Sequence, residues 1–529
     1  MMATSERNHR LQSAPGYALL FDEKPTMLAQ AENELALSAA GRHSGPVMPV
    51  SRLLRWLRPA VLLGAGALAA VGARGADYAI VVSRATQADG DWGRVVEVLR
   101  EKHQGAVIVF DASVEEALPR LRELFPRYAC FVARPGEVSR RFVAQVHRLT
   151  CRLDDDPYPD CFWGILTGYD AANALRLAEH QEPLTVRKVV GGTEIPLEMC
   201  EEGRWYSELE AGHWTHKESG GEPTAISGQS DTTEALVNCL IEYGADLFVT
   251  SGHATERDWQ IGYRYRNGQF RCDNGLLYGL DTQGRRFPIR SPGPRLFLPI
   301  GNCLMGHIDG TNAMALAFMN SAGVHQMAGY TVTTWYGYAG WGCLDYFLEQ
   351  PGRYTFAEAF LANQVALIER LQTYFPDLVS EELDDNGQTQ TPINLTEAAR
   401  AAGLTANDAR GLLYDRDTLA FYGDPAWVAR MADRSKAWNQ SLTETNGTWT
   451  FEITPNRGAR TFAPISVNGS QRGGRPIIQF LPCRLKDTHV IEGADLKPVV
   501  TDTFILVPNP RECDPARKYR IVFRAETVK

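Results

Sequence analysis

The sequence predicts an α/β protein with two α/β units of mostly parallel sheet, followed by a small all-β sandwich. Three observations carry this. Over residues 77–180, apolar runs of strand length alternate with amphipathic runs of helical period. The alternation returns over residues 231–431. From about residue 440 the helical period vanishes and short β-rich runs are split by Gly, Pro, Asn and Asp. The chain has 529 residues, 44% hydrophobic and 22% charged, which is ordinary globular composition with length for two or three domains. A formal net charge of -9 argues against a nucleic-acid partner.

Residues 1–47 are polar and aperiodic, and read as a mis-assigned or disordered extension. Residues 48–76 follow the order of a signal peptide: Arg52, Arg55 and Arg58, then an apolar segment from Ala60 to Val71, then small-residue cleavage sites around Ala73. A membrane span needs about 20 apolar residues, more than this run offers, so an anchor over residues 59–76 is the lesser alternative. The expected place of the protein is therefore periplasmic, secreted or cell-surface, with the true start at Met48. Export would put all ten cysteines where pairing is allowed, yet their spacing is irregular and no C-x-x-C occurs.

In the first unit, residues 77–230, DYAIVVS, AVIVFDA, YACFVAR and CFWGILTG read as buried strands. WGRVVEVLREKH, VEEALPRLRELF, SRRFVAQVHRLTCRL and AANALRLAEH read as helices between and after them. Val186 to about Thr233 is rich in Gly, Glu and aromatic residues and is expected as long loops. In the second unit, residues 231–431, ADLFVTSGHA, RLFLPIGNC and HQMAGYTVTTW are strands. TTEALVNCLIEYG, AMALAFMNSAG, CLDYFLEQ and TFAEAFLANQVALIERLQTYF are helices. The tail, residues 440–529, offers TWTFEITP, PISVNG, PIIQFLPCRL, HVIEG, DTFILVP and KYRIVFRAE as strands.

Two strands of the second unit end on a reactive side chain, ADLFVTSGHAT on His253 and RLFLPIGNCLMG on Cys303. In open α/β sheets, ligands bind beyond the carboxyl ends of the strands, so neighbouring strands would bring imidazole and thiol into one crevice. The chemistry needs both. A free thiol has a pKa of about 8.5 and is mostly protonated at neutral pH. An imidazole can stabilise the thiolate or take its proton during attack, then protonate the leaving amine. Gly252 and Gly301 would let the chain turn there, and backbone N–H groups beside Gly252, Ala254, Asn302 and Cys303 could hold an oxyanion.

With SGHA, GNC after an apolar strand, LAFYGDPAW at Leu419–Trp427 and LDDDPYPDCFWGILTGYD at Leu153–Asp170, the chain resembles the gingipain-type cysteine peptidases, and more distantly the caspases. The 50 residues from His253 to Cys303 match the caspase spacing. The resemblance covers residues 77–431, and the tail matches the immunoglobulin-like sandwich that follows such domains. It implies two caspase-like units and an endopeptidase acting on protein or peptide substrates, with Cys303 as nucleophile and His253 as base and acid. No cofactor is expected, and membrane contact only through the signal segment. Two positions depart from the family: its histidine is usually followed by Gly, here Ala254, and its cysteine is usually preceded by Ala, here Asn302. A secreted binding protein that keeps the fold without activity is the alternative class.

Other residues carry weaker readings. Cys303 and His307 form C-x-x-x-H, half of a zinc site that His253 could complete, although no fourth ligand is near. Trp335 and Tyr336 could line a substrate cleft or pack the sheet's edge. Glu208 and Glu210 could receive a basic substrate side chain or form a solvated loop. Asp154, Asp155 and Asp156 could bind calcium or simply face solvent. His325 opens a strand and is expected to be structural.

Overall fold

The computed structural model of the chain describes residues 77–383, 389 and 391–528, so the readings for residues 1–76 lie outside the described residues. Residues 77–180 fold as their periodicity predicts. Strands β1 (Tyr78–Ser83), β2 (Ala106–Phe110), β3 (Tyr128–Val132) and β4 (Phe162–Leu166) alternate with helices. These are α1 (Arg84–Ala88), α2 (Gly90–His103), α3 (Leu118–Leu124), α4 (Arg140–Thr150) and α5 (Ala171–Glu179). Asp89, Ser139 and Asp170 cap the exposed N–H groups of α2, α4 and α5. β1 is buried throughout and apolar up to Ser83 because both its faces are covered. Ala79 and Val81 join a core with Leu121, Val143 and Val146, while Ile80 and Val82 pack with Trp92, Val95 and Leu99.

The expected loop region departs from the reading. After β5 (Leu184–Val186) it carries β6 (Lys188–Gly191), β7 (Glu202–Tyr206), β8 (His213–Lys217) and β9 (Thr224–Ser227). β7 to β9 form one end of a large sheet, where a strand needs only part of its surface apolar; their Glu, Lys and His content reflects that. Next come α6 (Thr233–Ile241) and β10 (Leu247–Thr250). An antiparallel sheet then follows, made of β11 (Asp258–Gln260), β12 (Gln269–Asp273), β13 (Leu276–Leu280) and β14 (Arg286–Ile289). Then follow β15 (Arg295–Pro299), α7 (Met314–Ser321), β16 (Val324–Tyr330), α8 (Tyr338–Phe347) and α9 (Phe356–Tyr374). After them come α10 (Glu397–Ala401), α11 (Ala406–Arg416), β17 (Leu419–Tyr422) and β18 (Ala429–Met431).

The two expected units share one sheet. Its twelve strands run β2-β1-β3-β4-β17-β16-β15-β10-β6-β7-β8-β9. A boundary between residues 230 and 231 would therefore cut a continuous sheet, with β6–β9 on one side and β10 on the other. All neighbours are parallel except β16/β17, β7/β8 and β8/β9. β17 is the seam: it runs parallel to β4 and antiparallel to β16. The halves consequently point in opposite directions. The carboxyl ends of β6, β10, β15 and β16 lie at one edge of the sheet, and those of β1–β4 at the other.

The tail forms β19 (Trp438–Thr445), β20 (Thr448–Pro455), β21 (Ile477–Phe480), β22 (Leu485–Glu492), β23 (Val499–Val500), β24 (Phe504–Val507) and β25 (Tyr519–Thr527). They make two antiparallel sheets, β19-β20-β25-β22 and β21-β24-β23. In β20, Trp449, Phe451 and Ile453 point into the tail core and the residues between them point out. β24 is apolar at every position because it separates two cores. Ile505 and Val507 belong to the tail core, while Phe504 and Leu506 belong to the core of the α/β body. The tail is thus built onto the α/β body as one unit with it. Pro464–Gly469, expected as a strand, has none, and β19 begins before the expected boundary at residue 440.

α8 is buried along its whole length, and a charged cluster fixes the tail to it. Asp345 accepts from Arg472 Nε at 2.6 Å, Arg475 Nε at 2.9 Å and Gly473 N at 3.1 Å, and Arg472 also pairs with Glu349. Among the described residues no helix is long and apolar enough to cross a membrane. All ten cysteines are free thiols.

Candidate active site

β10 and β15 are parallel neighbours in register, with Leu247 beside Leu296 and Thr250 beside Pro299. The ladder continues past the strands, where Ile300 N donates to Thr250 O at 2.9 Å. The two loops therefore leave the sheet side by side. Gly301 shows how close they run: a Cβ there would lie 2.5 Å from Ser251 Oγ. Gly252 is needed for a different reason. A Cβ there would meet nothing closer than Gln260 O at 3.8 Å, but its φ of +98° lies in the region that side chains rarely adopt.

Asn302, between those glycines and the cysteine, ties the loops together. It is fully buried. Its Oδ1 accepts from Thr250 Oγ1 at 2.6 Å and its Nδ2 donates to Gly252 O at 3.0 Å. One amide thus binds the end of β10 and the backbone just before His253. Farther out, Arg257 grips Asp309 through two bonds of 2.8 and 2.7 Å, and Met314 N donates to Glu256 O at 2.8 Å.

The magnitudes separate these ties. Asn302→Ala leaves the Thr250 hydroxyl and the Gly252 carbonyl without their partner, at an expected cost of ~2–3 kcal/mol. Asp309→Asn breaks a pair that is about one-third exposed on both sides and should cost ~1 kcal/mol or less. Urea denaturation of both variants checks the order. Equal midpoints would remove Asn302 as the main tie.

His253 is exposed and its ring stacks on Tyr263, with centroids 4.7 Å apart. Tyr263 N in turn donates to the backbone carbonyl of Glu208. Ala254 makes a single antiparallel bridge with Trp259. Cys303 is half-buried, and its thiol donates to Thr334 O at 3.7 Å. Burial raises the Cys303 pKa, and nearby backbone groups of Thr334 and Cys303 offset this in part. Among the described residues no hydrogen bond joins the thiol to the imidazole. The next turn is held by Leu304 N to Val332 O at 2.9 Å, with Leu304 at a φ of +56°.

Trp335 is 44% exposed beside Thr334, against Tyr336 and Tyr414. Tyr336 is only 4% exposed and donates to Asp408 Oδ1 at 3.2 Å, so its ring is a packing element, whereas Trp335 offers a free face. Glu208, read as part of a solvated or substrate-facing loop, is buried. Thr193 Oγ1 donates to its Oε1 at 2.6 Å, and desolvation raises its pKa. Glu210 and the apolar Leu209 are exposed. His325 is part-buried and bonds to Gly323 O, in line with a structural role.

The zinc arrangement is not present: among the described residues the ligand atoms of His253, Cys303 and His307 do not gather, and His307 Nδ1 is buried without a partner. Among the described residues the group that does gather is Asp154, Asp156 and Asp502, so the acidic run is a part-buried joint with the tail, with Arg484 Nε 2.5 Å from Asp502.

Sequence reasoning singled out His253, Cys303 and Trp335 at this edge of the sheet. It took Asn302 as a departure from a family pattern and missed Tyr263. Comparison with protein-family models, with curated proteins and with solved structures gives no match to this chain.

Proposed function

We propose that the chain is an exported cysteine-type endopeptidase of the gingipain type, with Cys303 as nucleophile and His253 as general base and acid. One observation supports this most: β10 and β15 are adjacent and parallel, and the loops that carry His253 and Cys303 leave their carboxyl ends together. In this reading the thiol is neutral at rest, consistent with its raised pKa. It gives its proton to the imidazole as sulfur attacks the peptide carbonyl. The imidazolium then protonates the departing amine as the C–N bond breaks. Water, deprotonated by the same ring, hydrolyses the thioester and frees the cysteine. Backbone N–H groups beside Gly252, Ala254, Asn302 and Cys303 would hold the oxyanion. Trp335, next to the Thr334 whose carbonyl takes the Cys303 thiol, would give an apolar face for a peptide substrate.

A non-catalytic binding protein is the second reading. It is favoured by the missing thiol–imidazole hydrogen bond and by the stacking of His253 on Tyr263. Substrate must draw the ring off Tyr263 for the first reading to work, and apo geometry is often looser than the reacting complex.

Iodoacetamide labelling separates the two. The peptidase reading expects Cys303 to alkylate fastest of the ten thiols, and His253→Ala to slow it. Labelling led by the other part-exposed thiols, Cys151 and Cys483, and insensitive to His253→Ala, would favour the binding protein.

A further inference from the structure

A feature that the proposed peptidase reading does not use lies in the other half of the sheet. A cavity of about 270 Å³ opens between α4, the loop before β4, β4 itself, α9 and the turn that joins α11 to β17. Its apolar wall includes Pro157, Pro159, Ile368 and Val379. Two lining side chains stand out. Trp163 is 1% exposed and its indole N–H has no acceptor; Gln364 is 2% exposed and its amide N–H has none. Buried polar groups in native folds almost always have partners, and of the buried side-chain atoms left without one among the described residues these two donors share a cavity that could supply an acceptor.

The remaining polar groups are arginines and carboxylates that largely pair with one another. Arg148, Arg152 and Arg416 line the cavity together with only two carboxylates, Asp417 and Glu382. Arg416 is fully engaged with Asp417 and the carbonyls of Leu378, Val379 and Glu381. Arg148 bridges Asp417 and Glu382, and Arg152 binds Glu115 at 3.3 Å on the exposed side. His147 adds no charge, since burial pushes its pKa down to about 4, while its Nε2 donates to Leu419 O at 2.8 Å. The lining is therefore apolar with two unpaired N–H donors, and its three arginines face two lining carboxylates and Glu115 just outside it.

We propose that this cavity binds a small apolar monocarboxylic acid. Its carboxylate takes the N–H groups of Trp163 and Gln364 in the field of the arginines, and its hydrocarbon body lies on Ile368, Val379 and the two prolines. The volume lies just below the range for drug-sized ligands, which limits the occupant to a small acid. No part of this rests on His253 or Cys303.

The probe is 3-phenylpropionate, titrated calorimetrically into the full chain, with 3-phenylpropionamide and 3-phenylpropylamine as its neutral and cationic counterparts. The expected result is saturable one-site binding of the carboxylate, ~10-fold or more tighter than either counterpart. Trp163→Phe and Gln364→Leu should each weaken it ~10-fold, while Cys303→Ala leaves it unchanged. Gln364→Leu keeps the side chain's bulk and Trp163→Phe trims it, so the indole ¹⁵N–¹H resonance of Trp163 in the unaltered chain gives an independent readout, expected to shift on binding. Three results would overturn the proposal. These are no saturable heat with the carboxylate, meaning that water alone fills the cavity; equal binding of the amide; or binding that neither substitution changes.

Discussion

Cys303→Ala is expected to lower peptide cleavage by ~10³-fold or more while the fold stays intact. The size follows from what the sulfur does in the proposed reaction: it forms the covalent bond that splits one hard step into two easier ones, and alanine has nothing to put there. The intact fold follows from how little holds the thiol. It is half-buried and makes one long bond to Thr334 O at 3.7 Å, so its removal leaves a small, partly wetted gap. Mass-spectrometric analysis of a peptide library incubated with each form measures the effect. Cys483→Ala, at another part-exposed thiol, is the control and should cleave like the unaltered chain. Undiminished cleavage by Cys303→Ala would end any reading in which this sulfur attacks the substrate.

Asp345→Asn is expected to give the largest loss of stability from a single change of charge, ~3–5 kcal/mol. The side chains of Arg472 and Arg475 are 1% and 5% exposed, and both point at this one carboxylate. An amide of the same shape keeps the packing but leaves two buried cations with Glu349 alone. The surface pair of Arg84 and Asp111, about two-thirds exposed on both sides, gives the contrast: Asp111→Asn should cost ~1 kcal/mol or less. Denaturant midpoints for the two variants decide it, and similar losses would show that water reaches the cluster. The loss would also reach the candidate site. A Cβ at Gly469, in the tail, would lie 2.5 Å from the Trp341 ring, and one at Gly301 would lie 3.7 Å from its Nε1. One indole on α8 thus stands between the tail and the cysteine loop.

The parts of this structure that could be read from the sequence are those whose environment is local or symmetric. β1, β10 and β15 are covered on both faces, so each appears as an apolar run with a polar residue only at one end, and α9 starts with the capping box of Thr355 and Glu358. β7–β9 and the inserted sheet β11–β14 escaped, because short strands with one covered face mix charge and glycine as loops do, and β6, though buried, is only four residues long. Pro464–Gly469 misled in the opposite sense. It has strand-like residues, but its carbonyl at Asn468 serves Arg472, and Gly469 makes room for Trp341. At the site, two reactive residues on strand ends were legible from each strand alone. The partners that place them were not: Asn302 acts across the sheet on Thr250 and Gly252, and Tyr263 reaches His253 from a separate loop. LAFYGDPAW was read for its resemblance, yet its structural weight lies in pairing. Leu419–Tyr422 are the seam strand, and Asp424 is buried against Tyr78, Lys102 and His103.

That seam sets a timetable for synthesis. β4 is complete at Leu166, and its neighbour β17 begins at Leu419, 419 − 166 = 253 residues later. At typical elongation rates that is ~10–50 s during which the nascent first half keeps an unpaired strand edge. β16, once made, keeps its own open edge until the same four residues emerge. Unpaired edges are templates for the wrong partner, so the hazard for this chain is concentrated on the ribosome and ends when one short strand arrives. A host that lengthens that interval, or lacks chaperones to cover it, should give aggregates rich in chains that stop short of Leu419.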